Sequence, residues 1–215
     1  MKLVHTILLC VVIVFVLASI LCHIIALFTS YWLRSSSDKQ VNFLNIGLFN
    51  ACFDDYIHPH ENPAKVYDGC DGLSSDTYEV IRDWLVPQWL VACRIVAIIG
   101  LILQLVGLVF IILLLLWIIC KCVFCDDRDD LCEKILIYAT PIIFIVAGMF
   151  IMMAVMIFAD NAFRLQCKDF WLGGADPFDN HLSWSWNFEV AATVLTFISG
   201  GFLIWVVVLK ARDDY

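Results

Sequence analysis

The chain has 215 residues, of which 62% are hydrophobic and only 16% charged, and its formal net charge is −8. A soluble domain averages about 25% charged residues, so this composition excludes an ordinary water-soluble fold and indicates a membrane protein. The acidic balance excludes nucleic acid as a partner, because that is bound through basic patches.

The first apolar run extends from Ile7 to Phe28. A membrane span takes about 20 apolar residues and a signal-peptide core about 7–15, so the run predicts a retained helix, 7–29. Three more runs predict helices at about 91–119, 135–159 and 190–209. They leave a large loop, 30–90, a short middle segment, and a second loop, 160–189. Lys2, Lys121, Arg128, Lys134, Lys210 and Arg212 crowd the short segments, while the bases of the other side are spread over the two long loops. The positive-inside rule then puts both termini in the cytoplasm and the long loops outside.

Each run carries a stripe of small or polar residues: Ser19, Cys22 or His23, and Ala26; Ala97, Gly100, Gln104 and Gly107; Thr140, Ala147 and Ala154; Ala192, Thr196 and Ser199. Lipid offers no hydrophobic drive for helix association, so such stripes mark faces that pack closely. They predict a left-handed four-helix transmembrane bundle with Leu, Ile, Val and Phe turned to lipid. Pro141 is expected near the start of the third helix, where proline is tolerated. Trp84, Trp89, Trp117, Trp184, Trp186 and Trp205 stand near run ends, as interfacial aromatics do.

Within the large loop, Val41 and Phe43 alternate with Gln40 and Asn42, and Ile46, Leu48, Asn50 and Cys52 face oppositely to Gly47, Phe49, Ala51 and Phe53, the period of strands. His58 to Pro63 reads as a turn. Lys65 to Tyr67 reads as a third strand ending at Asp68 and Gly69. Ser74-Ser75-Asp76 reads as a cap for a short helix from Tyr78 to Leu85. Cys52 and Cys70 face an oxidising compartment on this topology and are expected to bridge; the alternative is a pair of free thiols. Such a bridge would contribute about 3 kcal/mol by loop-closure entropy.

Trp32, the triplet Gly47-Leu48-Phe49, Cys52, Cys70 and Arg94 follow one another in an order that resembles the first extracellular loop of the claudin superfamily, the claudin and peripheral myelin protein-like four-span proteins. Phe49 stands where that family usually has a second Trp, and the cysteines lie further apart than is common, so the chain resembles a divergent member. The resemblance implies a single claudin-like membrane domain over 1–215, with a small extracellular antiparallel β-sheet completed by a strand from Phe163 to Cys167. It also implies that Arg94 ties the sheet to the bundle; the alternative is a plain interfacial anchor. Tetraspanins are unlike this chain, since their large loop comes third and contains Cys-Cys-Gly. Connexins carry three cysteines in each outer loop.

Other polar residues have plainer readings. His23 and Gln104 share the packing stripes and are expected to be hydrogen-bonded bundle residues; neither has a carboxylate at helical spacing, so no proton relay is evident. Cys120, Cys122, Cys125 and Cys132 follow the second helix on the cytoplasmic side and suit reversible palmitoylation, with reduced thiols and zinc as the alternatives. Cys167 could pair with Cys93, cross-link a neighbour or stay free. His58, His60 and His181 lack ligand spacing, and no metal or other cofactor is expected. No Asn-X-Ser/Thr acceptor occurs.

No nucleophile–base pair, phosphate-cradling loop or paired carboxylates suggest an enzyme. The resemblance implies a structural cell–cell junction protein at lateral contacts of the plasma membrane, forming a paracellular barrier. Its partners would be itself and other claudin-like proteins, side by side and across the cell gap, within the lipid bilayer. The departures favour a septate junction of the invertebrate kind over a tight junction. The alternative is an auxiliary subunit of an ion channel or receptor. The ending Asp213-Asp214-Tyr215 departs from the Tyr-Val that claudins offer to PDZ scaffolds, so no such scaffold is expected.

Overall fold

A computed structural model of the protein describes residues 2–35, 43–58, 64–124, 130–163 and 180–213, with side chains described over 7–35, 43–58, 64–117, 134–162 and 181–212. In chain order the elements are α1 (Lys2–Phe28), β1 (Leu33–Ser35), β2 (Phe43–Ile46), β3 (Asn50–Ile57), β4 (Val66–Gly72), a 3-10 turn (Asp76–Tyr78), α2 (Arg82–Leu85), α3 (Gln88–Phe124), α4 (Asp130–Phe163), β5 (Asn180–Leu182) and α5 (Trp184–Asp213). Among the described residues, four segments are long and apolar enough to cross a membrane: Ile7–Phe28, Gln88–Trp117, Lys134–Ala162 and Trp184–Arg212.

The helices run further than the apolar runs that announce them. α3 starts at Gln88, where Pro87 supplies the carbonyl for the amides of Leu90 and Val91. α5 starts at Trp184, because Trp184, Trp186 and Phe188 carry its apolar character outward ahead of the aliphatic run. α4 starts at Asp130, so Pro141 lies well inside it rather than in its first turn. A proline there leaves one carbonyl of the preceding turn without its helical donor. In lipid such groups must be satisfied within the protein.

Contacts divide the chain into two units. The first comprises Met1–Cys22, Ile98–Ile151 and Ala191–Tyr215, and is helical throughout its described part. Leu9, Val12, Val16 and Ile20 of α1 pack there with Ile111 of α3, Phe144 of α4 and Leu203 of α5. A polar node fills its centre. The Gln104 side-chain amide donates to Ser19 Oγ at 2.8 Å and to Thr196 Oγ1 at 2.7 Å, and both hydroxyls reach Ala192 O. A β-carbon on Gly107 would stand 2.7 Å from the Phe144 ring, so a smaller residue than alanine is required for these helices to approach. The predicted packing residues of this unit, Ser19, Gln104, Thr140, Ala147, Ala192, Thr196 and Ser199, are all buried. Val14, Leu17 and Leu21, on other faces of α1, are exposed as lipid-facing residues should be.

The second unit comprises His23–Ala97 and Met152–Val190. It holds an antiparallel five-stranded sheet in the order β4-β3-β2-β1-β5. The chain turns between β2 and β3 at Gly47–Phe49, within the second alternating run, Ile46 to Phe53. β4 continues past Asp68 and Gly69 to Gly72, which brings Cys70 opposite Cys52. The anticipated helix from Tyr78 is split into the 3-10 turn and α2, and Ser75 sits at the cap position without a side-chain capping bond.

The second loop contributes its strand from a different place than expected. β5 is Asn180–Leu182, pairing Leu33 with Leu182, Arg34 with His181 and Ser35 with Asn180. Of the expected strand Phe163–Cys167, Phe163 is the last residue of α4 and the rest lies outside the described residues. Backbone continuity explains the choice: β5 runs straight into α5, whose first turns lie beside the chain that enters β1.

Candidate functional site

The sheet is fastened to the helix ends by residues around the α1–β1 turn. Trp32 is fully buried, and its indole N–H donates to Ala26 O at 2.7 Å. That bond satisfies the one polar atom of a large apolar ring. The ring lies 4.8 Å from that of Phe158, which also meets Trp89 at 5.7 Å. The Trp32 amide donates to Ile46 O, and its carbonyl accepts from Ser183 N–H, so its backbone joins strands from both loops.

Gly47 packs directly on the end of α1. An added β-carbon would lie 2.2 Å from Thr29 O and 2.7 Å from Ser30 Cα, both backbone atoms. Only glycine permits that approach. Leu48 is fully buried beside it. Phe49 stacks on Phe28 with centroids 6.2 Å apart, and the Arg94 guanidinium lies 5.6 Å from the Phe49 centroid. The phenyl ring in the position of the missing Trp thus keeps an aromatic face for the cation, and Arg94 meets the β2–β3 turn through that ring.

Cys52 and Cys70 form a disulfide across β3 and β4. Phe43, Phe53, Tyr56, Tyr67 and Tyr78 pack as an aromatic layer on this part of the sheet, and Trp84 stacks on Tyr56 at 5.9 Å. Tyr78 donates its hydroxyl to Ala51 O at 3.1 Å; burial, and then the charge of Asp71, push its pKa up to about 12. Asp71 accepts from the Thr77 hydroxyl at 2.5 Å and from Gly72 N–H at 2.8 Å. The Thr77 bond, followed by that from Gly72, holds its carboxyl below the ordinary value.

A seam joins the α1–β1 segment to the β5–α5 segment. Beyond the β1–β5 ladder, Ser183 N–H donates to Trp32 O at 2.9 Å and Ser185 N–H to Tyr31 O at 3.1 Å. Thr29 Oγ1 and Ser185 Oγ are 2.7 Å apart, and the Tyr31 and Trp184 rings stack at 5.3 Å. At its helical end, His23 Nε2 stands 3.3 Å from Glu189 Oε1, with both side chains wholly buried.

Glu189 is the residue that sequence reasoning missed. It stands at the end of the second loop if the last span begins at the aliphatic run. Its spacing to Ala192, Thr196 and Ser199 places it on the same packing stripe, and that was the available signal. His23 does have a carboxylate partner, from a different helix, which no spacing within one helix reveals.

Cys93 is a free, buried thiol whose Sγ donates to Ala154 O at 3.3 Å. Cys167, Cys125 and His60 lie outside the described residues. Cys120 and Cys122 lie in α3 and Cys132 in α4, with side chains outside those described. His58 faces Tyr56 and Trp84, and His181 sits on β5. Among the described residues no three His, Cys, Asp or Glu side chains gather as metal ligands.

The family model described as PMP-22/EMP/MP20/Claudin tight junction matches residues 7–205. No curated protein matches the chain.

Proposed function

The chain belongs to the PMP-22/EMP/MP20/Claudin tight junction family, and from that membership we propose that it is a structural protein of cell–cell junctions that seals the paracellular path. It is a four-span membrane protein of the junction type. Its place is at lateral contacts, in septate rather than tight junctions, and its partners are drawn from its own kind.

The observation that carries this reading is a sheet drawn from two loops, stapled by a disulfide and fastened to the helix ends. A rigid sheet can hold recognition residues at fixed positions. Ile57 and Val66 face each other across β3 and β4 and are about half exposed, at 49% and 53%, while Val80 after the 3-10 turn is 68% exposed. Val66 lies on the edge strand β4, and exposed apolar groups on and beside such a strand suit contact with a neighbouring copy or a sheet on the opposed cell. Phe49 and the wide cysteine spacing support the septate type. The basic residues of the short segments support cytoplasmic termini. Charge supports sealing over conduction: Asp54 and Asp55 are exposed on β3, and the loop acids are dispersed rather than gathered at a constriction.

The test is expression in a leaky epithelial monolayer, with the protein tagged. Sealing raises transepithelial resistance, leaves the cation-to-anion permeability ratio nearly unchanged, and concentrates the tag at lateral contacts. Lower resistance with a cation preference that falls in Asp54→Asn/Asp55→Asn would replace the barrier with a pore. No change in resistance and no enrichment at contacts would favour an auxiliary channel subunit.

A further inference from the structure

We propose that His23 and Glu189 form an intramembrane one-proton site that latches α5 to α1 and thereby holds β5 on β1. Both side chains lie inside spanning segments, are fully buried, and approach to 3.3 Å. Ionisable groups at that depth are costly unless paired. Each helix leads into one strand of the β1–β5 pair, and the Thr29–Ser185 contact and the Ser185–Tyr31 and Ser183–Trp32 bonds lie between the pair and the strands. Opening the latch therefore frees the strand that the second loop contributes.

The proton count follows from burial. With one proton between them the two groups are neutral overall, whichever holds it. With none or two, a net charge remains in a site closed to water, which is strongly unfavourable. Among the described residues, Cys93 of α3 couples electrostatically to Glu189, and Arg94, the next residue, couples to Cys93. On α4, Ala154 O accepts from Cys93 Sγ, Phe158 meets Trp32, and the acid Asp160 is exposed.

Once opened and hydrated, the two groups titrate near their ordinary values, about 6.5 for His and about 4.3 for Glu. Between these values the opened pair is imidazolium and carboxylate, again one proton, so closing takes up none. Above about 6.5 the opened pair holds no proton and closing must bind one. The closed state therefore loosens as pH rises, by up to about tenfold per pH unit. Glu189→Gln reverses the sign. The closed site then holds a neutral His without a shared proton, the opened His binds one below about 6.5, and the latch loosens as pH falls.

The experiment is hydrogen exchange of the full chain in lipid nanodiscs, following the amides of Ser183 and Ser185. Protection factors, taken against the intrinsic rate at each pH, remove the chemical pH dependence of exchange. In the unaltered protein, protection should be flat from about pH 4.5 to 6.5 and fall by up to tenfold per unit above. In Glu189→Gln it should be flat above about 6.5 and fall below. Equal loss of protection in the variant at every pH, with no change of slope, would reduce the pair to ordinary packing and overturn the proposal. If the variant does not fold, the unaltered protein alone decides: a profile flat from pH 5 to 8.5 overturns it.

Discussion

The guanidinium of Arg94 lies 5.6 Å from the centroid of the Phe49 ring, and that ring stacks on Phe28 at the end of α1. A cation over an aromatic face is worth about 0.5–2 kcal/mol, more as water is excluded. Phe49→Trp should therefore be neutral or slightly stabilising, since Trp presents the stronger face. Phe49→Ala should lower stability by about 2–4 kcal/mol through lost ring packing and cation contact together. Thermal unfolding of the detergent-purified protein gives the order Trp, Phe, Ala; Ala equal to Phe would exclude the ring as an anchor.

Gly47→Ala forces a methyl group into Thr29 O. Overpacking costs about 1–3 kcal/mol where side chains can yield, and here the obstacle is backbone. The expected result is retention of most of the variant inside the cell, read by surface biotinylation. Normal surface delivery would mean that the β2–β3 turn can lift away from α1.

Cys52→Ser removes the staple between β3 and β4. The loop-entropy loss is about 3 kcal/mol, and surface delivery should fall with it. Cys52→Ser/Cys70→Ser should behave no worse than the single variant, because it leaves no stray thiol. A double variant delivered like the unaltered protein would show that the aromatic layer alone holds the sheet.

The carboxyl of Asp71 is lowered by the Thr77 hydroxyl and then by Gly72 N–H. A lowered carboxylate contributes stability above its unfolded value of about 3.9, which is lost as pH falls through the folded value. Protection of the Gly72 amide should thus decline below about pH 4 in the unaltered protein. In Asp71→Asn the decline should vanish. An identical acid profile in the two would assign the effect to another group.

Acylation is expected at one or more of Cys120, Cys122, Cys125 and Cys132, which adjoin the ends of two spans. Hydroxylamine-sensitive labelling should disappear when all are replaced by Ser. Unlabelled unaltered protein rules the modification out.

Helix positions are legible in the sequence because hydropathy reports the solvent directly: a residue such as Val14 faces lipid and is apolar for that reason alone. The packing stripes are legible because close approach needs small side chains, as at Gly107 against Phe144. Strand choice in the second loop is not legible that way. Asn180-His181-Leu182 has no β-pattern of its own and is a strand because β1 offers it an edge. The His23–Glu189 pair is hidden for a related reason: it is a relation between two helices, and periodicity describes one helix at a time.

The pairing of β1 with β5 has a consequence for synthesis. Strands β1 to β4 leave the ribosome early and consecutively, so they can pair and acquire their disulfide while α4 and α5 are still unmade. β1 must then wait, one side unpaired, until the chain has been extended past Leu182. During that interval its free amides and carbonyls can accept a strand from another molecule. A polypeptide cut short before Asn180 would keep that edge permanently, so truncated products of this chain should capture β5 of intact copies and withdraw them from the cell surface.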